Sequence, residues 1–249
     1  MSRPAMEISI WGSHTVAEAL GSRLARVHEI YVTSRDGATA EIAALGREKG
    51  IRVTEISREK LASRFATEKH QNVAARVSLD LYESVEEWWE ERNPPEPVTL
   101  LLSDGIQDPQ NLGSLLRSAH FFGADLFVIT KDRAAPLSGV VAKASSGALF
   151  SLPLARVTNL ARELENLEDR GVFRVALDAE GDQTLRGLDL GERSVALVVG
   201  GEGEGIRQLT FKRCDARARL TLTGERDSLN AAVAGAVALY ELRAGRKKS

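Results

Sequence analysis

The stretch VTLLLSDGIQDPQNLGSLLRSAHFFGADLFVIT, residues 98–130, decides the fold class. VTLLLSD is apolar without alternation, the pattern of a strand covered on both faces in a parallel sheet. NLGSLLRSAHFFG reads as a helix, with Gly123 just past its end. DLFVIT is the next strand. Strand, helix and strand in succession define an α/β layer. The same rhythm continues toward the C-terminus. VAKASSGA and NLARELENLEDRG are helical, and FRVALDA and SVALVVG are strands. IRQLTFKRC, the strand ARLTL and the helix LNAAVAGAVALYELRAG close the chain.

Upstream lies a smaller alternation over about eighty residues. HTVAEALGSRL, ATAEIAALGREKG and SREKLASRF read as helices. HEIYVTS, IRVTEI and NVAARVSL read as strands, so this part is a second, small α/β layer. Between the two runs lies LYESVEEWWEERNPPEPV. Ser84 and Glu87 have capping-box spacing, and Pro94, Pro95 and Pro97 end the helix they begin. The segment reads as a linker whose helix Trp88 and Trp89 pin to a domain. The expected domains are therefore 1–80, a linker at 81–97, and 98–249.

Composition excludes several function classes. The chain has 249 residues, and 33 Lys+Arg against 35 Asp+Glu leave a net charge of −2. Bulk charge therefore gives no argument for nucleic acid or membrane, and any RNA contact must come from local patches. Cys214 is the single cysteine, so neither an intrachain disulfide nor a thiolate zinc site can form. His14, His28, His70 and His120 lack metal-ligand spacing, and no metal is expected. No apolar run approaches the ~20 residues of a membrane helix, and the opening MSRPAMEISIWGS lacks the apolar stretch of a signal peptide. A cytoplasmic protein is expected. Cys214 lies beside Lys212 and Arg213, but without a neighbouring histidine it reads as structural.

Three loops follow apolar strands, and ligands of open α/β sheets bind at the carboxyl ends of strands. The first, DGIQDPQNLGSLLRSA (104–119), places Asn111 at a helix start and Arg117 within the helix. A helix N-terminus can hold an anion such as an RNA phosphate, and Arg117 can add a bidentate contact. Its plain structural reading is an Asn111 cap and a solvated arginine. The second, GGEGEG (200–205), has neither Rossmann nor Walker spacing. Glu202 and Glu204 disfavour a phosphate, so a neutral or cationic ligand fits, or else a bare tight turn. The third, TLTGERDSLNAAVAGAVALYE (221–241), leads into a helix of small residues that Asp227 or Ser228 could cap.

In this order and spacing the three loops resemble the signature motifs of the SpoU family of RNA ribose 2′-O-methyltransferases, in the SPOUT superfamily. The first matches at Asp108, Pro109, Asn111, Gly113, Arg117 and Ala119. The second matches at Gly200, Glu202, Gly203 and Gly205, and the third at Ser228, Leu229 and Asn230. KASSGALFSLPLARVTNLARE (143–163) is similar to the family's connecting segment. WGSHTVAEAL and HQNVAARV are similar to its ribosomal-protein-like substrate-binding domain. The chain departs from the family at RLTLTG, where Thr221 and Leu222 replace the proline and methionine of an I-P-M run near the adenine pocket.

The resemblance implies a C-terminal SPOUT parallel-sheet domain with a trefoil knot, plus a small N-terminal substrate-binding domain. It implies S-adenosylmethionine as cofactor, held by Gly200, Gly201, Gly203, Ile206, Leu220 and Leu229. Asn111, Arg117, Glu202, Ser228 and Asn230 are the implied catalytic residues. A homodimer with the site at its interface is implied, as is methylation of ribosomal RNA, with a guanosine of 23S rRNA expected. RNA contacts are expected from Arg133, Lys143, Arg207, Lys212, Arg213 and the tail from Arg243 to Lys248. Transfer RNA as substrate, or a catalytically silent RNA-binding assembly factor, are the alternatives.

Overall fold

The computed structural model describes residues 5–34, 37–95, 97–221 and 229–245. Its chain divides into two compact units. The first comprises Met1–Leu81 together with Pro136–Ser151, and the second Tyr82–Ala135 with Leu152–Ser249.

The first unit runs β1 (Ala5–Trp11), α1 (Ser13–Gly21), β2 (Ala25–Val32), α2 (Gly37–Glu48), β3 (Arg52–Glu55), α3 (Arg58–Phe65) and β4 (Val73–Asp80). Its sheet has the order β1-β4-β2-β3, antiparallel except for the β2–β3 pair. β1 was not anticipated, although Ile8 and Ile10 alternate inward between exposed Glu7 and Ser9. Tyr31, Leu61, Phe65 and Ala74 form a core cluster here. The later segment adds α6 (Gly139–Ala144), which packs on β1.

The second unit holds α4 (Val85–Arg92), β5 (Thr99–Asp104), α5 (Pro109–Phe121), β6 (Leu126–Thr130), β7 (Leu154–Val157), α7 (Leu160–Asp169), β8 (Phe173–Leu177), β9 (Gln183–Thr184), β10 (Val195–Gly200), α8 (Gln208–Phe211), β11 (Ala216–Arg219) and α9 (Ala231–Gly245). Seven parallel strands lie in the order β7-β6-β5-β10-β8-β11-β9. β5 is buried along its whole length, as its unbroken apolar run requires. The strand order reverses between β5 and β10, which makes their carboxyl ends the switch point of the sheet.

The helix of the segment read as a linker is pinned through its tryptophans. Val85, Trp88 and Trp89 of α4 join the core of the second unit with Tyr82, because their i, i+3, i+4 spacing puts them on one helix face. Ser84 does cap α4, accepting from the Glu87 amide at 3.0 Å. The segment 136–151 falls with the first unit rather than with the sheet around it.

Candidate active site

The site is built from the ends of adjacent strands. β10 pairs Val199 with Ser103 and Gly200 with Asp104 of β5, so the first two loops leave the sheet side by side. Gly201 donates its amide to the Asp104 carbonyl at 2.9 Å. A Cβ at Gly201 would lie 2.1 Å from the Gly105 carbonyl oxygen, so only glycine permits this approach.

Asp104 also locks the glycine loop through its side chain. The carboxylate is fully buried. It accepts from the Arg207 amide at 3.0 Å and from Arg207 Nε at 2.6 Å, with Arg207 Nη2 at 2.6 Å. This corrects the expectation for Arg207, whose guanidinium is a structural clasp rather than a free phosphate contact. Arg213 pairs with Glu165. Arg243 donates to the carbonyls of Phe122 and Gly123, closing the C-terminal end of α5. Of the cations expected on RNA, these three are thus engaged within the fold. Arg133 is exposed, and Lys143 belongs to the first unit.

A cavity of about 390 Å³ opens at the switch point. Gly200, Gly201, Gly203, Ile206, Leu220 and Leu229, the six residues expected on the cofactor, all line it. Val199 and Leu177 extend the apolar wall. Gly203 and Gly205 have φ of 90° and 65°, and a Cβ at either would meet open space. Asp178 and Glu202 bring carboxylates, and among the described residues no lysine or arginine lines the cavity. An apolar cleft with a few polar groups and negative charge suits a flat organic ligand bearing positive charge.

At the mouth, three of the expected catalytic residues join hands. Asn111 donates its side-chain amide to Glu202 Oε1. Asn230 donates to Asn111 Oδ1 at 2.9 Å. Asn230 Oδ1 in turn accepts from the amides of Ala232 and Val233 at 2.9 and 3.3 Å, capping α9. The cap is therefore Asn230; Asp227 and Ser228 lie outside the described residues, as does Leu222. Asn111 does not cap α5 either. Asp108 does, accepting from the Gln110 amide at 3.1 Å, which frees the Asn111 side chain to bridge the first and second loops. The Asp108 carboxylate also stands where an RNA phosphate was expected, at the N-terminus of α5.

Arg117 stands apart. It lies on α5 about 9 Å farther along than Asn111 and about a third of a turn round the axis. It is exposed and is absent from the cavity wall. It shares its face with Gln110, Ser114 and Phe121, all exposed. Phe121 is 81% exposed, and on α9 Val233 and Tyr240 are 48% and 54% exposed. Ring contacts from Phe121 to Phe122 and from Phe122 to Tyr240 make the two helices present one continuous apolar surface.

Cys214 is structural. Burial pushes its thiol up to about 12, and its Sγ faces the Thr210 carbonyl at 3.4 Å. Among the described residues no group of three or more His, Cys, Asp or Glu is placed to hold a metal. Sequence reasoning missed Asp178, Leu177 and Ala179 on the cavity wall. Their signal was available, since Leu177 ends β8 and Asp178 and Ala179 follow it, at the carboxyl end where ligands bind.

Parallel strands with a cleft at the switch point, walled by a glycine loop and a capped C-terminal helix, define a ligand-binding α/β protein whose ligand meets the sheet at β5 and β10. Comparison then specifies which. The chain belongs to the SpoU rRNA Methylase family, whose model matches residues 98–240, and residues 9–83 match the RNA 2′-O ribose methyltransferase substrate binding domain. It is 38% identical over 241 residues to the 23S rRNA (guanosine-2′-O-)-methyltransferase RlmB of Xylella fastidiosa, covering 93% of this chain and 94% of that one. To the RlmB of Coxiella burnetii it is 35% identical over 247 residues, covering 96% of each. Among solved structures, the SpoU methyltransferase AviRb from Streptomyces viridochromogenes, in complex with AdoMet, shares the fold with a TM-score of 0.80 at 23% identity, over 96% of this chain and 90% of that chain.

Proposed function

We propose that this protein transfers a methyl group from S-adenosylmethionine to a ribose 2′-hydroxyl of ribosomal RNA, at a guanosine of 23S rRNA. The observation that carries the reading is the cavity between the glycine loop, Leu220 and Leu229, with the Asn111–Glu202–Asn230 chain at its mouth. The names borne by relatives that align over nearly the whole chain support the substrate. No helix among the described residues is long and apolar enough to cross a membrane. A cytoplasmic location belongs to this reading, since it is where a ribosomal RNA substrate would be met.

S-adenosylmethionine, when bound, supplies an electrophilic methyl group on a sulfonium. Gly200, Gly201, Gly203, Ile206, Leu220 and Leu229 would hold it. The protein's task is to bring the hydroxyl into line, and orientation of that kind is worth up to ~7–11 kcal/mol of barrier. Asn111 and Asn230, fixed by each other and by Glu202, position the target nucleotide, and Ser228 belongs to the same set. Arg117 binds the phosphate beside the target ribose and stabilises the developing alkoxide. With a pKa above ~12 it donates and does not act as base.

Arg117 reaches this role through a second copy of the chain. Arg117 shares its face of α5 with exposed Phe121, and pairing the apolar surface of Phe121, Val233 and Tyr240 in a homodimer buries these side chains. The dimer then completes the site. The trefoil knot belongs to the same reading, supported by α9 packing back against both α5 and β10. So do the three parts: a substrate-binding domain at 1–80, a connecting segment at 81–97 and a catalytic domain at 98–249.

The test uses labelled S-adenosylmethionine with unmodified 23S rRNA and, in parallel, transfer RNA. Label entering 23S rRNA alone supports the reading. Label entering transfer RNA alone overturns the substrate, and binding of RNA without transfer of label identifies a silent factor.

A further inference from the structure

The wall of the cavity at the carboxyl end of β8 carries a group that the reading above leaves unused. Asp178 lines the cavity between Leu177 and Ala179. Its Oδ1 accepts from the Glu180 amide at 2.9 Å, and its Oδ2 lies 3.1 Å from Arg217 Nη2. The same Arg217 nitrogen is 3.2 Å from Glu180 Oε2, and the guanidinium lies 5.5 Å from the centre of the Phe211 ring. Asp178 is thus held in one orientation. A carboxylate offers about four acceptor positions, and these contacts use two.

Place identifies what the remaining acceptors meet. β8 is two strands from β5 in the order β5-β10-β8, about 10 Å at the usual strand spacing. Asp178 therefore follows a strand two removed from the one that leads to Asn111, and the apolar side chains of Leu177, Ile206 and Leu220 line the same cavity. Apolar walls beside a preset pair of carboxylate acceptors match a nucleoside: the base against the walls, two neighbouring hydroxyls against the carboxylate.

We infer that Asp178 accepts hydrogen bonds from the ribose hydroxyls of the cofactor's adenosine and so selects a ribonucleoside cofactor over a deoxy one. The inference rests on the reading of the cavity as the S-adenosylmethionine site. Arg217 is a positioning residue for it.

Calorimetric titration of the full chain tests this, using S-adenosylhomocysteine and its 2′-deoxy and 3′-deoxy analogues as probes. The unsubstituted protein should bind S-adenosylhomocysteine and lose about tenfold or more in affinity when a contacted hydroxyl is removed. Asp178→Ala should weaken S-adenosylhomocysteine binding by about ten- to a hundredfold, the worth of a hydrogen bond to a charged group. It should then bind the deoxy analogues no worse than the parent ligand. Asp178→Asn keeps the shape and one acceptor oxygen. It should fall between the two, and it carries the test if circular dichroism shows the alanine variant unfolded. A folded variant that binds as tightly as the unsubstituted protein, or that pays the full deoxy penalty, overturns the inference alone. Failure of the unsubstituted protein to bind S-adenosylhomocysteine overturns the reading of the cavity itself.

Discussion

Asn111 has a partner on each side, Glu202 from the loop after β10 and Asn230 from the start of α9. One side chain therefore ties three separated loops, and its loss should loosen all three. Arg117 belongs to no such network, so its substitution separates chemistry from binding. Arg117→Ala should lower the rate of methyl transfer by a hundredfold or more while calorimetry finds cofactor affinity nearly unchanged. Asp104 is the opposite case, since its role is to hold the loop. Asp104→Ala strands the Arg207 guanidinium and should cost about 1.5–3 kcal/mol in urea unfolding. Cys214 gives a pH signature. Its thiol is raised from an ordinary value near 9 to about 12 by burial. Above pH 9 the unfolded chain loses that proton more readily than the native one, so this contribution to stability is complete below pH 9 and disappears as pH rises toward 12. Thermal melts across that window should show the slope reduced in Cys214→Ala. The residue types of this site were legible because glycines, acids and asparagines cluster where strands end. Their partners were not. Nothing local in PQNLG tells that Asp108 takes the cap and leaves Asn111 free, and Arg207 looks like any surface cation until Asp104, 103 positions away, is seen beneath it.

Among the elements, α4 carries two signals at once. Six acids and three prolines over residues 81–98 mark a connector, and Val85, Trp88 and Trp89 are buried. The two tryptophans made the packing legible; which unit they pack into was not. Trp88 is among the largest fully buried side chains, so Trp88→Ala should cost about 3–5 kcal/mol, read as a lowered melting temperature. A connector outside the core would lose almost nothing. The strands β5, β6 and β10 were readable because burial on both faces leaves apolar runs, and β8 was readable although Arg174 interrupts it. β7 has four residues and β9 two, too few to show any period. In α9 the small residues had a visible purpose: a Cβ at Gly235 would lie 2.4 Å from Leu115 Cδ1 of α5, so the two helices meet at close range.

At the scale of the whole molecule, the account needs a second copy of the chain. One chain supplies the cavity and the asparagine chain, and leaves Arg117 exposed on the face of α5 that carries Phe121, with Val233 and Tyr240 exposed on α9. Light scattering coupled to gel filtration should return twice the 27.0 kDa chain mass. Phe121→Asp combined with Tyr240→Glu should halve that value and remove methyl transfer together, because like charges facing each other across the axis oppose pairing. A monomer with full activity would show that the site is complete in one chain. Digestion of 23S rRNA to nucleosides after incubation with the protein and S-adenosylmethionine, followed by mass spectrometry, goes to the centre of the matter. New 2′-O-methylguanosine, absent when Arg117→Ala is used, is the expected product; a methyl group found on a base, or no methylated nucleoside at all, contradicts the account.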